Sequence, residues 1–432
     1  MSAPEELGRL LRERQGEHRL PSVSAAVLVR GEVAWAEAVG VAGAEAGSEA
    51  TPDTQYRVGS ITKTFTAAAI LALRDEGKLD LDDPLGRHLV EAGDRPLTLR
   101  RMLAHSSGVQ REVPGSVWET FEFPETGDEL LERLAEAEHV LEPGAHWHYS
   151  NLAFALLGEV VSHVTGKPLE RFVEERFLGP LGLSRTSWKR SEPAARGYYV
   201  DPWSDVLRPE IDLERSGAAA AAGDLWSTAS DLCRWAAFLV GRDDMHTVQV
   251  MADPDRWTQA WGLGVSLYRR GDRILFGHGG AMPGYLAHLA CSRTEGIGSA
   301  VLTNASTPAH AVQTLGLDLA EKAIELFPAE PELWAPGDPP PPELDGVLGR
   351  WWSEGTEFVF RWRGGRLEAR LDIDPRERGP SVFEPESPDR YRTVSGRERG
   401  EPLVIVRDGD GAVAKLYWAT YPFTRDPKTF GS

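Results

Sequence analysis

The chain carries β-patterned runs towards both ends of its first three-quarters and helical apolar stripes between them. Two such runs, Val23–Val29 and Glu32–Val39, meet at Arg30-Gly31, which is typical of a β-hairpin. A helix is predicted before them over residues 3–17, where leucines recur at helical spacing. The N-terminal part of the chain therefore predicts a helix followed by paired strands.

Between about residues 60 and 240 the apolar positions take helical spacing. The clearest stripe lies in Asn151–Val164, where Leu152, Leu156 and Val160 recur every four residues. Further helices are predicted at Ile61–Leu73, Leu99–Ala104, Leu169–Leu178 and, after a Ser227-Thr228 cap, Ala229–Leu239. Strand patterns return at Leu263–Tyr268, Arg273–Phe276, Leu286–Cys291 and Ser299–Leu302, before a last helix at Val312–Leu326.

Strands on both sides of a helical middle predict an α/β (α+β) domain over residues 1–330. Its antiparallel sheet would be flanked by helices and built from residues 20–58 and 262–303, with a helical subdomain inserted at about 62–255. A site between sheet and subdomain is the expected consequence.

A proline-rich linker is predicted at 331–343, because four consecutive prolines favour an extended spacer over a packed element. Residues 344–432 then predict a small antiparallel β-barrel. Its short strand patterns are Phe358–Arg363, Arg366–Leu371, Tyr391–Val394, Leu403–Arg407 and Ala412–Trp418.

Composition and charge narrow the possible partners. The formal net charge of −19 would repel nucleic acids and anionic membranes, so neither is expected as a partner. The N-terminus lacks the basic and apolar regions of a signal peptide, which favours a cytoplasmic location. Cys233 and Cys291 lack metal-ligand spacing and make a poor disulfide framework.

The most informative chemical pattern is Ser60-Ile-Thr-Lys63 at the start of an apolar helix. Residues i and i+3 share a helical face, so the Lys63 amine can reach the Ser60 hydroxyl and act as its base. The same helix start offers a backbone N–H to a developing oxyanion. The alternative is an N-cap serine beside a surface lysine. Lysine is rare in this chain, however, with seven among 47 basic residues, so a lysine rather than an arginine at this position favours the role of a base.

Two further patterns carry candidate chemistry. Tyr149 precedes a predicted helix, and its phenol, driven towards phenolate by a nearby ammonium, could serve in acid–base work. Asn151 could grip a substrate amide or hold Lys63, although Ser150 or Asn151 could simply cap the helix. His278-Gly279-Gly280-Ala281 follows a predicted strand, where glycines would admit a substrate and the Ala281 N–H would be a second oxyanion donor.

In these three patterns the sequence resembles the serine β-lactamase and penicillin-binding-protein superfamily, and within it the class C branch. That branch includes D-aminopeptidases, a D-Ala-D-Ala carboxypeptidase, esterases and peptide-cyclising thioesterases. Further resembling stretches, in the same order, are Leu97–Gly108, Gly158–Leu183, Ala222–Leu239 and Gly277–Tyr285. The C-terminal unit resembles the lipocalin-like β domain that some members append.

The resemblance implies a β-lactamase/transpeptidase-like fold and assigns roles at the matching positions. Ser60 is the implied nucleophile, and Lys63 and Tyr149 share its proton. Asn151, Gly279 and Gly280 contact substrate, and His278 stands where many members carry lysine. The backbone N–H groups of Ser60 and Ala281 form the oxyanion hole. Neither a metal nor an organic cofactor is implied.

The third pattern departs from the family because it reads His-Gly-Gly where members often read Lys-Thr-Gly. A largely neutral histidine and a missing hydroxyl weaken the site that binds a substrate carboxylate. We therefore expect a small-molecule ester, amide or peptide substrate without an anionic terminus, and weak or absent β-lactamase activity.

Two other functions stay open on sequence alone. A peptide-cyclising thioesterase or acyl transferase would replace water by an amine at deacylation. A non-turnover penicillin-binding or scaffold protein would be acylated without release. The sequence is also compatible with a homodimer.

Remaining histidines and tryptophans are expected to be structural in most cases. His146 and His148 lack a third ligand at metal-binding spacing, and His105 lies in what resembles a structural turn. One or two of five tryptophans in the helical middle are expected at the substrate: Trp118, Trp147, Trp188, Trp203 and Trp226.

Overall fold

The computed structural model describes residues 2–306, 308–331, 333–371 and 379–428. The chain divides into two compact units, residues 1–329 and 330–432. The larger unit contains a nine-stranded antiparallel sheet with helices, and the smaller contains an eight-stranded antiparallel sheet.

In the larger unit, strands lie mainly towards the two ends of the chain and most helices lie between them. Its strands are β1 (Ser22–Val29), β2 (Glu32–Gly43), β3 (Ser48–Glu49), β4 (Tyr56–Arg57), β5 (Tyr198–Val200), β6 (Leu207–Pro209), β7 (Trp226–Ser227), β8 (Val250–Met251), β9 (Gln259–Trp261), β10 (Ser266–Arg270), β11 (Arg273–Met282), β12 (Tyr285–Ser292) and β13 (Ile297–Thr303). Its helices are α1 (Ala3–Glu17), α2 (Thr62–Asp75), α3 (Leu99–Leu103), α4 (Val117–Thr120), α5 (Gly127–Leu134), α6 (Asn151–Thr165), α7 (Leu169–Val173), α8 (Ala229–Val240) and α9 (Ala309–Leu326). The main sheet has the spatial order β3-β2-β1-β13-β12-β11-β10-β9-β8, and β4 pairs with β7 and β5 with β6 outside it.

The sheet is buried on both faces, as strand β1 shows. Successive side chains of a strand point to opposite faces. Val23 and Val27 join the apolar cluster that contains the buried residues of α1 and α9, whereas Ala26 and Leu28 join the cluster that contains α2, α6 and α8. The predicted antiparallel sheet flanked by helices is therefore confirmed, and so is its assembly from both sides of a helical insertion.

The helical middle is organised by apolar stripes and polar caps. The predicted stripe Leu152, Leu156 and Val160 of α6 is fully buried. The Ser150 hydroxyl accepts from the Ala153 N–H at 3.0 Å, and Thr228 caps α8 in the same way. These caps fix where α6 begins, and with it the position of Asn151.

Several predicted boundaries are wrong. Strand β2 ends at Gly43 rather than at Val39, and β10 begins at Ser266 rather than at Leu263. Strand β11 does not end at Phe276 but continues through Met282, because residues 278–282 pair with β12 from Leu289 to Tyr285. Helix α9 begins at Ala309, three residues before its prediction. Helix α7 ends at Val173, and a π-helical turn continues to Leu178.

The smaller unit is the predicted antiparallel barrel. Its strands, each hydrogen-bonded to the next, are β14 (Gly349–Ser353), β15 (Thr356–Arg363), β16 (Arg366–Leu371), β17 (Ser381–Ser387), β18 (Arg390–Ser395), β19 (Pro402–Arg407), β20 (Val413–Trp418) and β21 (Tyr421–Phe423). Trp352 and Thr424 exchange backbone hydrogen bonds of 2.8 and 3.0 Å, which brings the two ends of the sheet together. The barrel interior is packed with aromatic side chains: Trp351, Phe358, Phe360, Phe383, Trp418 and Phe423.

Candidate active site

Ser60 and Lys63 lie side by side at the start of α2. Ser60 occupies a single 3-10 turn, Gly59–Ile61, that leads directly into the helix. Lys63 Nζ is 3.1 Å from Ser60 Oγ. Ser60 is partly exposed to a cleft, whereas Lys63 is completely buried. The i, i+3 spacing thus places a hydroxyl in the cleft with an amine behind it.

The buried amine of Lys63 is surrounded by acceptors rather than by counter-ions. Its Nζ donates to Asn151 Oδ1 at 2.7 Å and to the Ala222 carbonyl at 2.6 Å. Burial lowers the pKa of Lys63 well below its ordinary value; Glu112 opposes this shift and Arg111 adds to it. Since desolvation disfavours the ammonium, the neutral amine is the form able to accept a proton from Ser60.

Tyr149 lies over this pair with its phenol protonated. The centre of its ring is 5.0 Å from Lys63 Nζ. Burial raises the pKa of Tyr149, although a hydrogen bond from Ser60 acts in the opposite direction. This differs from the expected phenolate, because burial of the ring disfavours its charged form. Tyr149 is therefore placed to donate a proton rather than to accept one.

His105 holds the segment that carries Tyr149. Its ring lies against the Tyr149 ring, with centres 4.2 Å apart, and its Nδ1 accepts from the Ser150 N–H at 3.1 Å. Burial lowers the pKa of His105 well below its ordinary value, so the ring is neutral. The turn that contains His105 therefore has the structural role expected for it. Its contacts help to hold the Tyr149 phenol in place.

Asn151 holds Lys63 and is itself held by Glu112. Asn151 Nδ2 donates to Glu112 Oε1 at 2.7 Å, and Arg111 Nε lies 3.3 Å from the same oxygen. Of the two roles expected for Asn151, the structure shows contact with Lys63. Sequence reasoning missed Glu112 and Arg111 because no motif marks them; the available signal was a charged pair that begins three residues after Gly108.

Two glycines allow the Ser60 turn to approach strand β11. A Cβ on Gly59, whose φ is +51°, would lie 2.5 Å from the Ala281 nitrogen. A Cβ on Gly280 would lie 1.9 Å from the Val58 carbonyl oxygen. The pairing of β11 with β10 stops at Gly277. The Ser60 turn therefore packs against a stretch of β11 that β10 does not cover.

His278 is a neutral, buried part of β11. Its Nδ1 donates to the Gly279 carbonyl at 2.5 Å, and its ring stands perpendicular to Trp261 with centres 5.4 Å apart. Burial lowers the pKa of His278 to about 3, and Lys63 adds to the shift. At neutral pH this ring provides hydrogen-bonding nitrogens and no charge.

These groups open into a cleft of about 630 Å³. Five tryptophans were candidates from the sequence, of which one or two were expected at the substrate. Two of the five, Trp118 and Trp147, line the cleft. Trp188 and Trp226 are buried in the core, and Trp203 is 93% exposed. Trp261 also lines the cleft and was missed, because nothing in a short strand pattern distinguished it from a core residue.

Comparison with known proteins matches each unit separately. The family model described as Beta-lactamase matches residues 7–323, and a domain of unknown function, DUF7586, matches residues 340–425. Beta-lactamase-like protein 2 of Dictyostelium discoideum is 29% identical over 250 residues, which are 55% of this chain and 45% of that protein. The chain spans about half the length of such curated relatives.

Two solved structures share the fold. An octameric penicillin-binding protein homologue from Pyrococcus abyssi has a TM-score of 0.64 at 24% identity, covering 98% of this chain and 99% of its own. A D-stereospecific amidohydrolase from Streptomyces sp. has a TM-score of 0.61 at 28% identity, covering 71% and 96%. No helix in the described part of the chain is long and apolar enough to cross a bilayer.

Proposed function

This chain belongs to the Beta-lactamase family, in the superfamily of serine β-lactamases and penicillin-binding proteins, and from that premise we propose that it hydrolyses ester and amide bonds through an acyl-enzyme on Ser60. The observation that carries the proposal is the 3.1 Å contact between Ser60 Oγ and the buried amine of Lys63. A serine hydroxyl becomes nucleophilic when a neighbouring base removes its proton.

The first half of the reaction follows from the contacts. The neutral Lys63 amine takes the Ser60 proton as Oγ attacks the substrate carbonyl carbon. The resulting ammonium is stabilised by Asn151 Oδ1 and the Ala222 carbonyl, which already accept from Nζ. The Tyr149 phenol gives its proton to the leaving group and is reprotonated from Lys63.

Oxyanion stabilisation and deacylation complete the cycle. The backbone N–H groups of Ser60 and Ala281 are the proposed donors to the oxyanion, supported by the close approach of the Ser60 turn to β11. Water then attacks the acyl carbon by the reverse proton path, releasing the acid and restoring Ser60.

Substrates without an anionic terminus fit the cleft best. His278 supplies no positive charge, and Gly279 supplies no hydroxyl, so a carboxylate in this region lacks the partners that would offset its desolvation. The name of the Streptomyces relative, a D-stereospecific amidohydrolase, supports amides as one substrate class. Weak or absent β-lactamase activity follows from the same missing charge.

Turnover of an uncharged ester tests this function. We expect continuous release of p-nitrophenol from p-nitrophenyl acetate, and cleavage of D-amino-acid amides, at rates well above those for cephalosporins. Mass spectrometry of the products should show the free acid. A single stoichiometric burst would instead indicate a non-turnover binder, and an amine-coupled or cyclised product would indicate an acyl transferase.

The pH dependence of acylation tests the state of Lys63. Because burial lowers the pKa of Lys63, the active neutral amine is present above that lowered value and is lost as the pH falls through it. The raised pKa of Tyr149 keeps the phenol protonated past pH 10. We expect kcat/KM for p-nitrophenyl acetate, corrected for spontaneous hydrolysis, to level off well below pH 10 and then to stay flat to about pH 10. A continuous rise to pH 10 would mean that Lys63 titrates as an ordinary lysine.

A further inference from the structure

Glu112 lies beside the reacting groups, yet the reaction as proposed gives it no role. Its half-buried side chain lines the cleft. Its Oε1 accepts from Asn151 Nδ2 at 2.7 Å, and Asn151 Oδ1 accepts from Lys63 Nζ at 2.7 Å. A single amide group therefore connects this carboxylate to the proposed base.

The backbone ties the segment that carries Glu112 to the start of α6. The Arg111 carbonyl accepts from the Asn151 N–H at 2.6 Å. One residue earlier in each segment, the Ser150 hydroxyl donates to the Gln110 carbonyl at 2.7 Å. These two contacts hold Glu112 opposite Asn151, so their side chains stay within hydrogen-bonding distance.

Glu112 determines which end of the Asn151 amide faces Lys63. An ionised carboxylate accepts hydrogen bonds and cannot donate one, so only the Nδ2 group of Asn151 can pair with it. The carbonyl oxygen Oδ1 then points the opposite way, towards Lys63 Nζ. A reversed amide would place Oδ1 against a carboxylate oxygen without a proton between them, which is unfavourable for both acceptors.

The orientation of Asn151 in turn decides where the lone pair of the Lys63 amine points. A neutral amine has two N–H bonds and one lone pair. Both N–H bonds are used, because Asn151 Oδ1 and the Ala222 carbonyl oxygen can only accept. The third neighbour is Ser60 Oγ at 3.1 Å, so the lone pair is left to take the hydroxyl proton. A reversed Asn151 would donate to that lone pair and compete with Ser60.

We propose that Glu112 is a positioning residue, which fixes the Asn151 amide and thereby directs the lone pair of Lys63 at Ser60. The proposal rests on the proposed function and adds a residue that acts on the reaction through Asn151. Because Glu112 acts on the base of the enzyme itself, its effect should appear with any ester that acylates Ser60.

The charges around Lys63 give this role a signature in the pH dependence. Burial keeps three titratable groups that face the amine uncharged, by lowering the pKa of each imidazole and raising that of the phenol: His105, His278 and Tyr149. Burial lowers the pKa of Lys63, and two charged residues modify the shift: Glu112 raises this pKa and Arg111 lowers it. Removal of the Glu112 charge should therefore lower the pKa of Lys63 further, so that the neutral amine persists to lower pH.

Two substitutions of Glu112 test the role. Glu112→Leu should lower kcat/KM for p-nitrophenyl acetate by about tenfold or more, because the Asn151 amide is no longer held in one orientation. Glu112→Gln can still accept from Asn151 and should retain more activity than Glu112→Leu. In both variants the fall of kcat/KM at acid pH should move to lower pH, which a general disturbance of the site would not cause. The substrate carries no cation, so loss of direct substrate binding by the carboxylate does not explain the result.

A double-mutant cycle tests whether Glu112 acts through Asn151. Asn151→Ala removes the amide that Glu112 is proposed to orient. In that background Glu112→Leu should cost less than about threefold, whereas the effects of two independent residues would multiply. The rate at which a fluorophosphonate labels Ser60 gives the same comparison for variants that are too slow for steady-state hydrolysis.

Glu119 provides the matched control, because it is exposed and is not among the described residues that line the cleft. Glu119→Leu should match the wild type in rate and in pH profile. Three outcomes would overturn the role of Glu112: a loss below threefold in Glu112→Leu, an equal loss with and without the Asn151 amide, or a fall at acid pH that stays in place or moves to higher pH. Wild-type activity above the Ser60→Ala background tests the hydrolase assignment separately, so the role of Glu112 can fail while that assignment stands.

Discussion

Replacing Lys63 with methionine should lower kcat/KM for p-nitrophenyl acetate by about a thousandfold or more. Methionine approximates the length of the lysine stem, but its thioether cannot take the Ser60 proton. Positioned proton transfer typically contributes about 10²–10⁴-fold to rate, and loss of a group that works as a unit with the nucleophile removes most of it. The measurement is steady-state hydrolysis with Ser60→Ala as the background.

A surface lysine provides the matched control for this variant. Lys78 is exposed and pairs with Glu76, so Lys78→Met removes an ammonium of the same chemistry away from the cleft. It should keep wild-type activity. Circular dichroism should show that Lys63→Met is folded. A folded Lys63→Met protein that retains more than a tenth of wild-type activity would contradict the role of the amine.

Replacing Asp224 with asparagine should destabilise the larger unit by about 3–5 kcal/mol. Asp224 Oδ1 is 2.8 Å from Arg57 Nη2, and both side chains are almost completely buried. Asp224 also accepts from the Ser216 N–H at 2.7 Å and from its hydroxyl at 2.8 Å. Asparagine keeps the shape but leaves the Arg57 guanidinium buried without a counter-charge, which is the costly way to break such a pair.

Calorimetry of the full chain can measure this effect. The melting transition of the larger unit should shift to a clearly lower temperature in Asp224→Asn. Asp205→Asn breaks an exposed ion pair with Arg19 and should melt like the wild type, because solvent screens such pairs. Equal melting temperatures for Asp224→Asn and wild type would show that Arg57 is stabilised by other groups, such as the backbone carbonyls of Leu213 and Glu214.

Periodicity predicted the parts of the fold in which local pattern and burial agree. The apolar stripe of α6 and the apolar run of β1 are each buried along their length. The apolar character of their side chains therefore predicts the burial correctly. The sequence pattern predicted the end of strand β11 too early, because His278, Gly279 and Gly280 have low strand propensity. Its last residues are strand because β12 pairs with them, which is information that a single segment does not contain.

The barrel shows the same limit in two strands that contain proline. Strand β17 contains Pro385 together with the polar residues Glu384, Glu386 and Ser387, and β21 is three residues long with Pro422 at its centre. Proline opposes strand assignment in a local pattern. Both segments nevertheless pair, because neighbouring strands supply the partners that complete the sheet.

At the site, the sequence predicted contacts between residues close in sequence better than contacts between residues that only the fold brings together. Ser60 and Lys63 share one helical turn, so geometry alone places them together. Glu112 reaches Asn151 only because the turn after Gly108 returns to the start of α6.

Covalent labelling with a fluorophosphonate, followed by peptide mass mapping, tests the central claim most directly. The reagent forms a stable ester with an activated serine, and we expect one label per chain, on the peptide that contains Ser60. Ser60→Ala should abolish the label and Lys63→Met should slow it by about the same factor as hydrolysis. A label on another serine, such as Ser106 or Ser107 of the turn that holds Tyr149, or undiminished labelling of Lys63→Met, would contradict the account.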